Sequence, residues 1–295
     1  MMDFSEIVTL IVRSVETGSI YALVGLAMGI IYKASEVPNF AQGEMATFST
    51  FIAFMVLTVH GAPFYVAFVV SLLFAYILGI AFEFLCVRRA KNPTILSMII
   101  LTIGLQMVLY GLSGWVFGTE QRAFRLPFSQ FETVEIGGVV ISHLGLATII
   151  ASFVLMCLIY WFLEHTKTGL AMRASQQNSM AARINGISSN RVVNLSFGIS
   201  SIVGAIAAML FAPIITLSPD LMWDPLLKGF AAAVLGGFAS LPGIVFGGYI
   251  LALIENLFGL WFSLEYKSVV AMGIIVLVLY IKPSGLFSKH YQRKV

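Results

Sequence analysis

Long apolar runs separated by short polar stretches set the pattern of this chain. A helix rising about 1.5 Å per residue crosses the roughly 30 Å hydrocarbon layer in about 20 residues, and runs of that order recur from end to end. Spans are predicted over residues 7–32, 41–58, 64–87, 94–117, 144–163, 192–217 and 269–281, the last with a start near Lys267. The runs are continuous rather than ten-residue alternating segments, so helices and not a barrel satisfy the backbone within lipid. Two places do not read as plain spans. Within residues 33–40, Pro38 biases Val37 away from helix and marks a break. From Lys228 the chain is apolar for about half a crossing, breaks over residues 238–243 and resumes as a second apolar run. Residues 228–262 are therefore expected to form a broken or re-entrant helical hairpin. Both places show an apolar Gly-containing helix, a Pro-containing break and another apolar helix. An internal repeat is one reading of this, and unrelated Gly and Pro interruptions are the other. The expected fold is an all-α polytopic membrane protein with about eight transmembrane segments, forming one transmembrane domain over residues 1–295.

The longest polar interruption, residues 167–191, is too charged for lipid and too patterned for a slack linker. Asn178 is placed to cap a short helix through the N–H of Met180 or Ala181. Met180 and Ile184 then share one face, and Gly186 falls where a left-handed residue ends the helix. A shorter helix over residues 170–175 precedes it. This pattern fits an ordinary amphipathic loop or a docking element for a soluble partner. In the 118–142 segment, VEIGGVVIS alternates around Gly137-Gly138 and predicts a small hairpin.

Charge fixes the orientation. Arg88, Arg89, Lys91, Lys167, Arg173, Arg183, Arg191, Lys282, Lys289, Arg293 and Lys294 fall on one side, which the positive-inside bias makes cytoplasmic. Arg122, Arg125, Lys228 and Lys267 are left outside, along with the N-terminus. The acidic start MMDFSE lacks a basic n-region, so no cleavable signal peptide is expected.

Composition agrees: of 295 residues 59% are apolar and 11% charged, with mean hydropathy +0.95. A net charge of +3, distributed as topology demands, gives no nucleic-acid footprint. Cys86 and Cys157 fall inside spans and read as packing residues rather than a disulfide framework. The four histidines are dispersed, so no metal site is expected, and no GxxxxGK[ST] segment is present to cradle nucleotide phosphates. Interrupted helices leave backbone groups to be satisfied by protein or by a polar cavity. Asn39, Gln42, Gly43, Glu44, Gly236, Gly237, Ser240, Pro242 and Gly243 are thus the candidate substrate pathway, with packing kinks the alternative. Glu44 opens a span, where a charge at the bilayer centre costs roughly 2.5–3.5 kcal/mol on insertion scales, so an interface or a polar cavity must receive it. Glu255, beside Asn256, lies deeper and is added to the candidates, against a structural carboxyl facing another helix. Glu83 is close enough to Arg88 for an interfacial ion pair.

Four separated motifs carry a resemblance: TGSIYALVGLAMGIIY with NFAQGEM, GLAMRASQQNSMAARINGIS, AAAVLGGFASLPGIVFGGYILALIE, and KPSGLF. Together they make the chain resemble the LivH-type permease subunits of branched-chain amino-acid ABC importers, in order and over nearly its whole length. Gln42 stands where the family usually has His, and Leu170 where it often has Arg. The resemblance implies a permease of the bacterial cytoplasmic (inner) membrane, paired with a LivM-like permease. It also implies two ATPase subunits carrying ATP and Mg, and a periplasmic substrate-binding protein. This chain itself would hold no cofactor and would not be an enzyme. The family match further implies that Gly169, Arg173, Ala174, Asn178, Ala182 and Gly186 belong to a cytoplasmic ATPase-coupling loop over residues 167–191. Import of urea or short-chain amides is the alternative within the family. An ion-coupled secondary transporter using Glu44 or Glu255, and a membrane scaffold, are the readings outside it.

Overall fold

The computed structural model describes residues 4–90, 94–127, 132–136, 139–261, 266–282 and 284–287. Helices α1 (Phe4–Ser35), α2 (Gln42–Thr58), α3 (Phe64–Phe82) and α4 (Ile95–Phe117) come first, α3 running on through a π turn at Glu83–Val87. A hairpin of β1 (Thr133–Ile136) and β2 (Val139–Ser142) leads to α5 (His143–His165) and the short α6 (Lys167–Gln177) and α7 (Ser179–Ile184). After α8 (Ser189–Phe211) come α9 (Trp223–Gly236), α10 (Leu241–Trp261) and α11 (Lys267–Ile281). Six described helices, α1, α3, α4, α5, α8 and α10, are long and apolar enough to cross a membrane, whereas α2, α9 and α11 are shorter. The expected count of about eight does not follow from these six alone.

Side-chain caps fix where several helices begin. Thr94 and Ser97 form a reciprocal capping box on α4, Ser142 accepts the N–H of Gly145 to open α5, and Thr166 accepts that of Gly169 to open α6. The hairpin pairs Thr133 with Ser142 and Glu135 with Val140 in antiparallel register, while its Gly137-Gly138 turn lies outside the described residues.

Helix α1 is the hub. From Ile20 to Ile31 its side chains are buried, and it packs against α5, α8, α9 and α10. A helix that is apolar all round belongs in the interior, and small residues let its neighbours approach. A methyl group at Gly18 would come within 2.8 Å of Tyr249, and one at Gly25 within 2.9 Å of the Gly229 carbonyl. By contrast α4 sits outside, with Ile95, Met107 and Trp115 exposed as lipid or a second subunit would require.

Two expectations need correction. The 192–217 span ends as helix at Phe211: a turn over residues 212–214 follows, and beyond it Leu217 and Arg122 exchange backbone hydrogen bonds of 2.8 and 2.9 Å. Cys86 and Cys157 are exposed rather than packed, being on outward faces of the π turn and of α5.

Candidate functional site

Asn39 to Glu44 form one compact turn. The Asn39 side-chain carbonyl accepts the Ala41 N–H at 3.0 Å, holding the entry to α2, and the side chain is fully buried. Gln42 reaches across to α8: its amide donates to the Ser200 carbonyl at 2.9 Å and its oxygen lies 3.0 Å from the Ser200 hydroxyl. Ser200 Oγ also lies 2.7 Å from the Ala27 carbonyl of α1, so Gln42 joins three helices. Gly43 packs against α9, where a methyl group would meet Leu226 and the Met222 carbonyl at 3.3 Å.

Glu44 is buried at 1% exposure. One carboxylate oxygen accepts the indole N–H of Trp223 at 2.7 Å, and the other, Oε2, has no hydrogen-bond partner. Trp223 is half exposed and its ring stands 5.7 Å from that of Tyr110, which is also exposed. Glu44 is thus a buried carboxyl with one oxygen held by Trp223 and the other unpaired, a group that a cationic partner such as an organic ammonium would complement.

The second break is a helix end. Gly237 adopts φ +90° after α9, and Ser240 caps the start of α10 by accepting the Gly243 N–H at 3.1 Å. A methyl group at Gly236 would collide with the Gly243 carbonyl, so α9 and α10 meet backbone to backbone. The carbonyls left open at the end of α9 are taken by the C-terminal segment: Leu286 donates to Leu235 at 2.8 Å and Phe287 to Gly236 at 3.3 Å. Pro242 lines one cleft with Lys33 and Arg173. Helices α9 and α10 thus form a hairpin that turns over residues 237–240. Four rings connect the two breaks: Tyr32 to Phe238 at 4.6 Å, Phe238 to Phe230 at 5.7 Å, and Phe230 to Phe40 at 5.6 Å.

Glu255 stands apart from both breaks. It accepts from Tyr21 at 2.8 Å and pairs with Lys228 at 2.6 Å, while Lys228 also pairs with Asp224 at 2.6 Å. Asn256 beside it donates to Ser14 at 3.1 Å and accepts from Lys267 at 3.1 Å. Sequence reasoning had missed Lys228 and Trp223. The signal was WDPLLK, where Pro225 suits a first helical turn and Asp224 precedes Lys228 by four residues.

In the 167–191 loop Asn178 accepts the Ala181 N–H at 2.9 Å. Gly186 at φ +82° closes α7 with two bonds, Gly186 to Arg183 at 3.0 Å and Ile187 to Ala182 at 2.9 Å. Ala182 is buried, whereas Met180 and Ile184 are 74% and 81% exposed. Helix α6 is longer than the expected 170–175, and it lies tight on α5: a methyl group at Gly169 would come within 2.5 Å of Leu163. Arg173 turns back to Glu164 at the end of α5, with contacts of 2.5 Å to its carboxylate and 2.9 Å to its carbonyl. Ala174 is half-buried beside it. The anticipated Glu83–Arg88 pair is present at 2.8 Å, and Asn194 of α8 donates to the same carboxylate at 2.5 Å.

Six helices long and apolar enough to cross a membrane, packed around buried charges and a broken hairpin, define a polytopic membrane protein. Residues 10–279 match the family model described as branched-chain amino acid transport system / permease component, and the chain belongs to that family. It is 29% identical to the high-affinity branched-chain amino acid transport system permease protein BraD of Pseudomonas aeruginosa over 97% of each chain. It is also 29% identical to LivH of Escherichia coli K12 over 96% of each. A probable LivH of Methanocaldococcus jannaschii is 27% identical over 91% of this chain and 88% of that one. Among solved structures, PsaBC from Streptococcus pneumoniae in complex with Fab shares the fold, with TM-score 0.51 and 13% identity over 92% and 91% of the two chains. The protein is therefore a permease component of an ABC importer and a multi-pass protein of the inner membrane.

Proposed function

We propose that this chain imports branched-chain or other aliphatic amino acids as one permease of a pair with a LivM-like subunit. Two cytoplasmic ATPase subunits binding ATP and Mg supply the energy, and a periplasmic binding protein delivers the solute. The observation that carries this reading is the family match along nearly the full chain, with 29% identity to BraD and LivH. Two structural features support it. The apolar knobs Met180 and Ile184 stand exposed on a doubly capped helix, which suits α6–α7 to seat in a soluble partner. Arg173 and Gly169 hold that element against α5, so force applied to it reaches the membrane helices through packed contacts rather than a slack hinge.

The candidate pathway divides into roles. Glu44, with one oxygen unpaired and the other held by the half-exposed Trp223, receives the solute's α-ammonium group. Asn39, Gln42 and Gly43 hold Glu44 in place through the α2 entry. The break from Gly236 through Gly237, Ser240 and Pro242 to Gly243 is the point at which the cytoplasmic end moves, and Glu255 locks α10 to α1 and α9. A neutral solute such as urea has no charge to match Glu44, so an amino acid is the favoured cargo over an amide.

The test is uptake into proteoliposomes holding the full complex, loaded with ATP and supplied with binding protein. Leucine uptake that requires ATP, and falls at least tenfold in Glu44→Gln without loss of complex assembly, is expected. Urea uptake with no leucine uptake turns the reading to the alternative, and uptake driven by an ion gradient without ATPases overturns it.

A further inference from the structure

We propose that the cytoplasmic cleft between α1, α5, α6 and α10 binds the phosphodiester headgroup of an acidic phospholipid through Lys33 and Arg173. The cleft is lined by Lys33 at the end of α1, Glu164 and Leu163 of α5, Arg173 of α6, and Leu241 and Pro242 of α10. Two cations face one carboxylate there, and Glu164 is taken up by Arg173 at 2.5 Å. Among the described residues Lys33 makes no ion pair, and the Nε of Arg173 is buried without a hydrogen-bond partner. The site is therefore one negative charge short of balance, with a donor already waiting. Its solvent-sized space of about 50 Å³ is several times the roughly 10–15 Å³ that one water needs, which suits a phosphate-sized group.

The surroundings choose lipid over a soluble anion. Tyr160, which also lines the cleft, and Trp161 are 54% and 57% exposed, and Trp161 stacks on His165 at the last turn of α5. Amphipathic rings at a helix end mark the headgroup level of a bilayer. One turn above them Leu158 is 55% exposed, and Val154 and Phe153 continue an apolar outer face along which acyl chains can lie. Basic clefts between transmembrane helices on the cytoplasmic side are suited to anionic headgroups. A lipid held here bridges α1 and the α6–α7 element and so steadies the loop on which coupling is proposed to act.

The experiment uses the full complex in neutral detergent, with lipid retention read by native mass spectrometry. Phosphatidylglycerol is expected to be retained at least fivefold over phosphatidylcholine. Lys33→Gln is expected to abolish that preference, and Lys33→Arg to restore it, which separates charge from folding. Equal retention by wild type and Lys33→Gln overturns the proposal. So does displacement of phosphatidylglycerol by millimolar inorganic phosphate, which would mark a site for free anions. Neither outcome depends on which solute is carried.

Discussion

Lys228 and Glu255 form the costliest pair of side chains in the described structure, since both are buried and each would carry a full charge into a low-dielectric interior. Their attraction, the Tyr21 hydroxyl and the Asp224 carboxylate together offset that cost. Removing one partner leaves the other uncompensated, so Lys228→Met is expected to destabilise by about 3–5 kcal/mol. The double variant Lys228→Met with Glu255→Leu should recover most of the loss. Thermal unfolding of the purified complex checks this, and a wild-type melting curve for Lys228→Met alone would refute it. At the backbone, Gly236→Ala must push α9 from α10 because its methyl group has no room beside the Gly243 carbonyl. Overpacking of this kind costs about 1–3 kcal/mol, and membrane accumulation of the variant is expected to fall. Glu255 was visible in the sequence as an intramembrane carboxylate, but its partner was not. Lys228 lies 27 positions away on another helix, and no local pattern joins the two.

At the scale of the element, α6 and α7 form a unit whose ends are set by local chemistry. Asn178→Ala removes the α7 cap and should cost about 1 kcal/mol of helix stability. The expected result is weaker co-purification of ATPase subunits with an unchanged melting temperature for the membrane helices. Arg173 is the sharper case. Family resemblance placed it in the docking loop, yet it bonds to Glu164 of this chain. Arg173→Glu is expected to lower ATP-dependent uptake severalfold, and the exchange Arg173→Glu with Glu164→Arg should restore it by rebuilding the pair. Failure of that rescue, with ATPase binding still lost, would make Arg173 a direct contact. The cap, the shared face of Met180 and Ile184 and the terminal Gly186 were all legible in sequence, since each depends on neighbours within about four residues. The Arg173–Glu164 bond was not, because it depends on how α6 folds back over α5.

For the whole molecule, the α9–α10 hairpin depends on the end of the chain, where Leu286 and Phe287 take the last carbonyls of α9. A chain ending at Lys282 is expected to melt several degrees lower and to lose uptake, and wild-type behaviour on both counts would show the segment dispensable. The sequence by itself determined the crossing helices, both breaks and the family. Lipid supplies no hydrogen bonds, so each span must satisfy its own backbone and announces itself locally by length and composition. Only the tertiary structure decided what the buried polar groups do: Gln42 with Ser200, Glu44 with Trp223, Glu255 with Lys228. Those partners come together through helix packing across separations as large as 179 positions. The hydrophobic pattern that inserts a helix does not determine which face it turns to its neighbours.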